Sequence, residues 1–509
     1  MTLMLTKHIP TILAVLIAIV LVAILSTGKN AIQINRQGDA AIFEQLIENI
    51  STGKGFNSNV FANTQSFIEE KQFKITTEEL ITSRITAPEQ QERNMLGFHA
   101  YYILTPLSLL HPLISSSLLL IIIQTSCFCG LLLAAYFFVK ATTGSYRAAL
   151  LLPLSIALNP NWFIGIMGQF YPDRIFLLAG FLLCAALYSK AKPQFIIVTL
   201  IIIALINERA GAIAGLIIFA HSFLFFQRES SKQFAIGMAI GIIGIAYFYF
   251  QKNYLLENVY YNNFIPRNLE EAVRRLEIPG FIDKIILNLQ NNSVLLILSL
   301  CAPRYFLITL AVMLPNMIGK IGGAEKVNWL THYHSYYFPV LAFSAVAGGT
   351  NLFNFCQRNH SKKLRLIWFT CVISIILFTY IAQNNYKINK LDLTPSTGLK
   401  EYVISFKNYA SGQPTGLDLA ETIRDSFSEK DIVATSELGM ALLHNKVKIH
   451  VFPIGLSTAT KIFISCPLLE KRVQDESMES KLISLGFNRS NASNKPAFIA
   501  ISYCLLERK

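Results

Sequence analysis

The chain has 509 residues, of which 53% are hydrophobic and only 15% are charged, and its formal net charge is +13. Soluble domains contain about 25% charged residues, so this composition excludes an ordinary soluble enzyme, a disordered chain and a nucleic-acid-binding module. The apolar residues fall in blocks, and about 20 apolar residues cross a bilayer as a helix. The sequence therefore predicts an α-helical polytopic membrane protein.

We predict eleven transmembrane helices. The first is an uncleaved anchor, because its apolar stretch exceeds the core of a signal peptide. Two of the other predicted spans are weak, because the stretch 194–206 is short and the stretch 285–302 contains several asparagines. The predicted spans cover residues 9–26, 117–139, 148–165, 174–189, 194–206, 211–227, 233–250, 285–302, 305–318, 336–353 and 366–382.

The short loops predict the orientation, because Lys and Arg accumulate on the cytoplasmic side of a membrane protein. With a cytoplasmic N-terminus, that side carries most of the net positive charge and one acidic residue, Glu229. The net positive charge therefore indicates how the chain is oriented in the inner (cytoplasmic) membrane. It does not indicate nucleic-acid binding. The basic residues on that side are Lys7, Lys140, Arg147, Lys190, Lys192, Arg228, Lys232, Arg304, Arg358, Lys362, Lys363 and Arg365.

Three hydrophilic segments then face outward: the first loop, 27–97; a second loop, 251–284, with the amphipathic stretch Leu269–Leu276; and the tail, 383–509. In the tail, LDLAETIRDSF predicts a helix, and DIVATS, KIHVFP, KIFIS and FIAIS predict strands. The expected domains are a membrane domain, 1–382, and a small extracytoplasmic α/β domain, 383–509.

The tail also contains two cysteines, Cys466 and Cys504, and each follows a strand-like run. Outside the cytoplasm a disulfide persists. The sequence leaves two alternatives open, a Cys466–Cys504 bridge or two separate buried thiols. The other cysteines lie in or beside predicted spans, where cysteine packs as a small apolar residue.

Three acidic residues fall at the outer membrane surface, where charges are costly and mark functional sites. Asp39 lies shortly after the first span, Asp173 lies in a short turn, and Glu208 lies in another such turn. Each also has purely structural interpretations. Asp39 is a helix N-cap or a solvated loop carboxylate. Asp173 is a turn residue or an ion-pair partner of Arg174, and Glu208 is an ion-pair partner of Arg209 or an interfacial anchor.

Carboxylates at this surface have two chemical uses. One carboxylate can act as a general base toward an acceptor hydroxyl. Others can bind a divalent cation such as Mg²⁺ or Mn²⁺ beside a lipid phosphate, and Arg174 and Arg209 can bind the phosphate directly. His99, His332 and His334 are candidates to line a cavity, or they belong to an interfacial polar belt.

The layout resembles the GT-C glycosyltransferases, with an N-terminal anchor, a long first outer loop with an early Asp, many spans and an outer tail. It is more closely similar to a prokaryotic membrane-protein family catalogued as domain of unknown function 2079. Tyr171 stands where that family tends to have His, and Asn207 and Arg209 replace its Lys and Asp. The similar stretches are GDAAIFEQ followed by GKG, GFHAYYILTPL, QFYPD, NERAG, THYHSYYFPVL and DIVATSELGMALLHNKVKIHVFP.

The resemblance implies a sugar donor linked to polyprenyl phosphate, and transfer to a glycan, lipid or protein acceptor at the outer membrane face. Asp39 matches the first-loop catalytic carboxylate of GT-C enzymes. Glu44, Asp173, Glu208, Arg209 and Arg174 are then supporting residues for a phosphate or metal site. The expected cavity-lining residues are His99, Tyr171, His332, Tyr333 and His334.

Two other functions fit the same sequence: a transporter or flippase for a lipid-linked or small polar solute, and a non-catalytic protein of envelope assembly. A transporter is expected to show inverted repeats and carboxylates near the middle of the membrane. The acidic residues of this chain gather instead at one predicted face, which favours the enzyme.

Overall fold

Helices make up most of the protein in the computed structural model, which describes residues 2–32, 38–62, 64, 92–225, 231–255, 268–277, 280–318, 333–358, 366–374, 377, 395–473 and 476–508. Five helical segments within these ranges are long and apolar enough to cross a membrane: Ile9–Ile32, Ser116–Thr143, Glu208–Phe225, Ser231–Leu255 and His334–Arg358. Three shorter apolar helices accompany them, Tyr146–Ala157, Pro193–Ile206 and Pro303–Pro315. The described residues thus establish several candidate spans, and fewer than the predicted eleven have full length.

Before the tail, the described residues contain many helices and one short antiparallel strand pair, β1 (Asn57–Ser58) and β2 (Arg93–Asn94). The helices up to residue 358 are α1 (Thr2–Ile32), α2 (Gly38–Ser51), α3 (Leu104–Ser108), α4 (Ser116–Thr143), α5 (Tyr146–Ala157), α6 (Pro160–Met167), α7 (Ile175–Tyr188), α8 (Pro193–Ile206), α9 (Glu208–Phe225), α10 (Ser231–Phe250), α11 (Leu269–Glu277), α12 (Gly280–Leu300), α13 (Pro303–Ile318) and α14 (Phe338–Arg358). Those of the tail are α15 (Pro395–Ala410), α16 (Gly416–Arg424), α17 (Glu437–Leu443), α18 (Cys466–Leu469), α19 (Met478–Ser484) and α20 (Pro496–Ala500).

The chain divides into two compact units. The first contains residues 1–25, 96–103 and 122–401, and the second contains residues 26–95, 104–121 and 402–509. The expected domains grouped residues 27–97 with the membrane part. The described residues of this loop up to Met95 group instead with the tail, and α2 packs against α17 and α3.

The predicted span 148–165 is interrupted in the structure. Helix α5 ends at Ala157 and α6 begins at Pro160, so the expectation of one continuous helix is wrong. The residue before a proline is disfavoured in the helical conformation, and Asn159 instead accepts a hydrogen bond from the backbone N–H of Asn161 at 2.8 Å. The buried amide of Asn292, within the predicted span 285–302, accepts hydrogen bonds from Asn159 and Asn161.

Helices α9 and α10 pack closely in the first unit because glycine lines their contact. A Cβ atom at Gly215 would lie 2.8 Å from the carbonyl oxygen of Gly241, and one at Gly244 would lie 2.8 Å from the Cα of Gly215. Small residues allow the backbones of apolar helices to approach in this way. This contact fixes α9, whose first residue, Glu208, lies in the polar site described below.

The tail of the second unit is built on a five-stranded mixed sheet. Its strands are β3 (Ile432–Thr435), β4 (Lys448–Val451), β5 (Lys461–Ser465), β8 (Phe487–Arg489) and β9 (Tyr503–Arg508), and a separate pair is formed by β6 (Arg472–Val473) and β7 (Glu476–Ser477). The order in the sheet is β4-β3-β5-β9-β8. Strand β3 is parallel to β4 and β5, whereas β9 is antiparallel to β5 and β8. The predicted helix at LDLAETIRDSF and three of the four predicted strands are present.

The fourth predicted strand, FIAIS, is wrong. These residues form the short helix α20 and the turn that follows it, and the strand begins only at Tyr503. Proline at the first position of a helix is favourable, and Pro496 starts α20 there. Beside this turn, Cys466 and Cys504 are joined in a disulfide with their Cα atoms 5.0 Å apart.

Candidate functional site

A buried polar cluster lies in the first unit, where two turns between apolar helices meet. The first turn, Pro172–Arg174, precedes α7, and the second, around Asn207, joins α8 to α9. Asp173, Asn207 and Glu208 are all fully buried. We define the buried polar cluster as these three residues with His99, Arg209 and Tyr336. A buried polar group is tolerated only when it is hydrogen-bonded, so the contacts inside the cluster determine its arrangement.

Asn207 joins the two turns. Its Oδ1 accepts a hydrogen bond from the backbone N–H of Ala210 at 2.8 Å, which caps the start of α9. Its Nδ2 donates to the carboxylate of Asp173 and also to the hydroxyl of Tyr336, at 2.9 Å in the latter case. The hydroxyl of Tyr336 donates to the same Asp173 oxygen. Asn207 therefore follows the end of α8, and its side chain caps α9 and holds the neighbouring turn.

Arg209 supplies a positive charge to the cluster. Its Nη2 lies 3.6 Å from Oδ1 of Asp173, and its Nε lies 4.0 Å from Oε1 of Glu208. The guanidinium also lies over the ring of Tyr336, 5.4 Å from the ring centre. The Arg209 side chain is 10% exposed, whereas both carboxylates are at 0%. Two buried carboxylates thus orient the guanidinium, whose Nε and Nη2 atoms are themselves buried.

Glu208 holds the segment that contains His99. Its Oε1 lies 2.8 Å from Nδ1 of His99, and its Oε2 accepts a hydrogen bond from the backbone N–H of Ala100 at 2.9 Å. An ionised carboxylate only accepts, so Nδ1 of His99 carries the hydrogen. The His99 side chain is 13% exposed. Glu208 therefore fixes both the tautomer and the orientation of a partly accessible imidazole.

Arg174 and His334 form a deeper pair beside the cluster. Nη1 of Arg174 lies 2.7 Å from Nε2 of His334, and both residues are buried. Arginine only donates hydrogen bonds, so Nε2 of His334 accepts and that imidazole is neutral. The guanidinium also lies 5.7 Å from the centre of the Phe128 ring. This pair supports the turn that contains Asp173.

Asp39 and Glu44 belong to the second unit, on α2. Asp39 lies in the first turn of α2 and is half-buried. The N-terminus of a helix favours a negative charge, so this position stabilises a carboxylate. Glu44 is buried, and its Oε2 lies 3.7 Å from Nε2 of His444, a residue of the tail.

The following Gln45 fastens α2 to the next stretch of the first loop. Its Oε1 accepts hydrogen bonds from the hydroxyl of Ser58 at 2.6 Å and from the backbone N–H of Val60 at 3.3 Å. The turn between them contains Gly53, with φ of +81°, and Gly55, with φ of +70°. Side chains other than glycine rarely adopt such values, which accounts for the GKG sequence after α2.

Residues 38–491 match a protein family described as predicted membrane protein (DUF2079). The chain belongs to this family. No curated relative matches the sequence. Among solved structures, ArnT from Cupriavidus metallidurans bound to undecaprenyl phosphate matches at 9% identity over 97% of both chains, with a TM-score of 0.46. The apo state of the same protein matches at 9% identity over 84% of this chain and 91% of that chain, with a TM-score of 0.43. TM-scores below 0.5 give no argument about the function of this chain.

The structure unites several of the residues that the sequence of this DUF2079 protein singled out. Asp173, Glu208, Arg209 and His99 share one cluster, and Arg174 and His334 adjoin it. Tyr171 directly precedes the Asp173 turn in an extended conformation. Tyr333 begins the short helical turn Tyr333–Tyr336, and His332 lies outside the described residues. Asp39 and Glu44 lie in the other unit, so the grouping of all three acidic positions stays a prediction.

Sequence reasoning missed two members of the buried polar cluster, Asn207 and Tyr336. Both lie inside stretches that carry the resemblance to the DUF2079 family, NERAG and THYHSYYFPVL. Asn207 stood out only as a substitution of the family's Lys, and Tyr336 as one of several interfacial tyrosines. A neutral polar residue beside a span gives no charge signal, and its partners become visible only in three dimensions.

The described residues contain no group of three or more His, Cys, Asp or Glu side chains that could hold a metal ion. In the buried polar cluster, the two carboxylates already accept hydrogen bonds from protein donors. Asp173 is engaged by Asn207 and Tyr336, and Glu208 is engaged by His99 and Ala100. These contacts orient Arg209 and His99, and binding of a divalent cation such as Mg²⁺ or Mn²⁺ stays a prediction.

Proposed function

We propose that this DUF2079 protein is a GT-C-type glycosyltransferase, which moves a sugar from a polyprenyl-phosphate-linked donor to an acceptor at the outer face of the cytoplasmic membrane. The resemblance of the sequence to GT-C enzymes supports this reaction, as does its membership of a family of predicted membrane proteins. The acceptor is a glycan, lipid or protein. The buried polar cluster supports an anionic lipid substrate.

The observation that carries the proposal is the pairing of two buried carboxylates in the first unit with two basic side chains, Arg209 and His99, that are less completely buried. Asp173 and Glu208 are at 0% exposure, whereas Arg209 and His99 retain 10% and 13%. Nε and Nη2 of Arg209 are buried beside Glu208 and Asp173, so only the remainder of this side chain is accessible to a phosphate. Guanidinium groups form the stronger, charge-assisted hydrogen bonds to phosphate, and the buried carboxylates hold Arg209 in place beforehand.

In the proposed reaction, the acceptor hydroxyl attacks the anomeric carbon of the sugar. The new bond joins the acceptor oxygen to that carbon, and the bond from the carbon to the phosphate oxygen breaks. The electron pair of the broken bond goes to the polyprenyl phosphate, whose negative charge Arg209 stabilises. The acceptor proton goes to a general base, the role that the resemblance gives to Asp39.

Two experiments test this function. Cells with and without the protein are compared for envelope glycans and lipid-linked sugars, and purified protein is incubated with a radiolabelled polyprenyl-phosphate sugar. Loss of one glycan, together with accumulation of its lipid-linked donor, is the expected result in cells that lack the protein. An unchanged glycan profile together with altered solute uptake would contradict the enzyme and favour a transporter.

A further inference from the structure

Helix α2 is held within the second unit by two neighbours, α3 and α17. Its buried residues include Ala41, Phe43, Leu46 and Ile47, so the helix is covered on more than one side. Helix α17 belongs to the tail and follows strand β3. The tail therefore supports the helix of the first loop on which Asp39 lies.

The contact between α2 and α17 includes a buried acid–base pair. Oε2 of Glu44 lies 3.7 Å from Nε2 of His444, and the two side chains are only 6% and 1% exposed. A buried charge that loses its partner is strongly unfavourable. Removal of either residue would therefore leave the other in an unfavourable buried position. His444 is also the C-cap residue of α17, where its backbone N–H donates a hydrogen bond to the carbonyl of Met440. The pair therefore sets a defined position of α2 on the tail.

Glu44 lies about one and a half helical turns after Asp39 on the same helix, since an α-helix has 3.6 residues per turn. Any rotation or shift of α2 at Glu44 therefore moves the Asp39 carboxylate with it. Gln45 and Asn49 fasten the second half of α2 to residues 57–60. Along the helix, Glu44 is nearer to Asp39 than Gln45 and Asn49 are.

We propose that His444 is a positioning residue, which acts through Glu44 to hold α2 and thereby to orient the Asp39 carboxylate for proton transfer. This inference rests on the proposed function, because it assumes that Asp39 accepts the proton. It assigns a role to the tail, which is then part of the catalytic apparatus of the enzyme. A misplacement of a reacting group by about 1 Å costs about 10²-fold in rate.

The test uses the full-length protein in lipid nanodiscs, with the variants His444→Ala, Glu44→Ala and their combination. Each single variant should lower kcat by about 10–100-fold, while the KM for the lipid-linked donor changes little. The double variant should be no slower than the worse single variant, because both substitutions remove one contact. His444→Gln, which keeps a hydrogen-bonding side chain, should recover part of kcat.

His450 provides the matched control. It is a buried histidine of the same unit, on β4, and its Nε2 contacts the hydroxyl of Thr458 at 3.3 Å. His450→Gln should leave kcat unchanged. A loss of kcat as large in His450→Gln as in His444→Ala would show that any damage to the tail lowers activity, and this would overturn the positioning role.

Hydrogen exchange separates this inference from the proposed function. His444→Ala should remove exchange protection from the amides of α2, residues 38–51, in protein that is not turning over. Unchanged protection of α2 would overturn the inference, as would losses in kcat that multiply in the double variant. If α2 loses protection but Asp39→Asn retains full activity, the proposed function fails while the contact itself stands.

Discussion

The two units each contain a contact between a glutamate and a histidine, and the two contacts differ in kind. In the first unit, Glu208 lies 2.8 Å from His99 and also accepts a backbone hydrogen bond from Ala100. In the second unit, Glu44 lies 3.7 Å from His444, which is an ion-pair distance. The first contact orients an imidazole that is partly exposed, whereas the second joins two helices by side chains that are almost wholly buried. The first therefore suits binding of a ligand, and the second suits holding a helix.

This difference separates two roles within the proposed enzyme. Residues of the buried polar cluster should govern binding of the phosphate, and residues on α2 should govern the rate of transfer. Substitutions in the first unit are then expected to act mainly on KM for the donor. Substitutions on α2 are expected to act on kcat.

The largest effect is expected for Asp39→Asn. This change keeps the size of the side chain but removes its ability to accept a proton, and loss of a general base costs about 10²–10⁴-fold in rate. Protein level and membrane insertion should stay normal. Transfer from a radiolabelled polyprenyl-phosphate sugar measures the effect. Asn caps helices as well as Asp does, so a purely structural role predicts a nearly silent change.

Asp418→Asn is the matched control for this substitution. Asp418 also lies in the first turn of a helix, α16, where its Oδ2 accepts a hydrogen bond from the backbone N–H of Thr415 at 2.6 Å. Hydrogen bonds from Thr415 lower the pKa of Asp418 below its ordinary value. The control should leave the transfer rate unchanged. Full activity in Asp39→Asn would reject the proposed mechanism.

A smaller effect, about tenfold, is expected for Glu208→Gln, since a charge-assisted hydrogen bond is about twice as strong as a neutral one. The amide still accepts a hydrogen bond but no longer carries the charge that orients His99 and Arg209. The KM for the lipid-linked donor should rise more than kcat falls. Steady-state kinetics at varied donor concentration measures the split. A pure loss of kcat would contradict the assignment of the cluster to phosphate binding.

The sequence predicted the membrane class and most tail elements, because apolar blocks and the alternation in DIVATS and KIFIS are local signals. It also singled out Asp173, Glu208 and Arg209 as candidate site residues, because charged residues beside apolar helices are conspicuous. The role of Asn207 could not be predicted, since it depends on two turns that meet only in the fold. His444 was missed for a similar reason: its partner Glu44 is distant in sequence, and a histidine beside an apolar run is unremarkable. FIAIS was misassigned because a short apolar run suits both a strand and a helix turn.

Removal of the disulfide should change stability more than catalysis. The cysteines are separated by 38 residues, and closing a loop of this size contributes about 3–4 kcal/mol. Cys466→Ser together with Cys504→Ser should lower the Tm of the second unit, while activity at low temperature stays near normal. Cys301→Ser, at an exposed free cysteine of the first unit, is the control and should leave Tm unchanged. An unaltered Tm in the double variant would show that the bridge does not stabilise the tail.

The smallest effect concerns His450, the control histidine of the tail, and its dependence on pH. Burial lowers the pKa of His450 from 6.5 to about 4, with a further contribution from Lys448. Above pH 6.5 the residue is neutral in both the folded and the unfolded chain, so it contributes no pH dependence there. Between pH 6.5 and about 4 the unfolded chain binds a proton that the folded chain does not, so the free energy of unfolding falls as the pH falls. In His450→Gln this contribution disappears, and denaturant unfolding of the second unit should become less sensitive to acid over that interval. An identical pH dependence in the two proteins would mean that His450 binds a proton equally well in the folded and the unfolded tail, which would contradict the effect of burial.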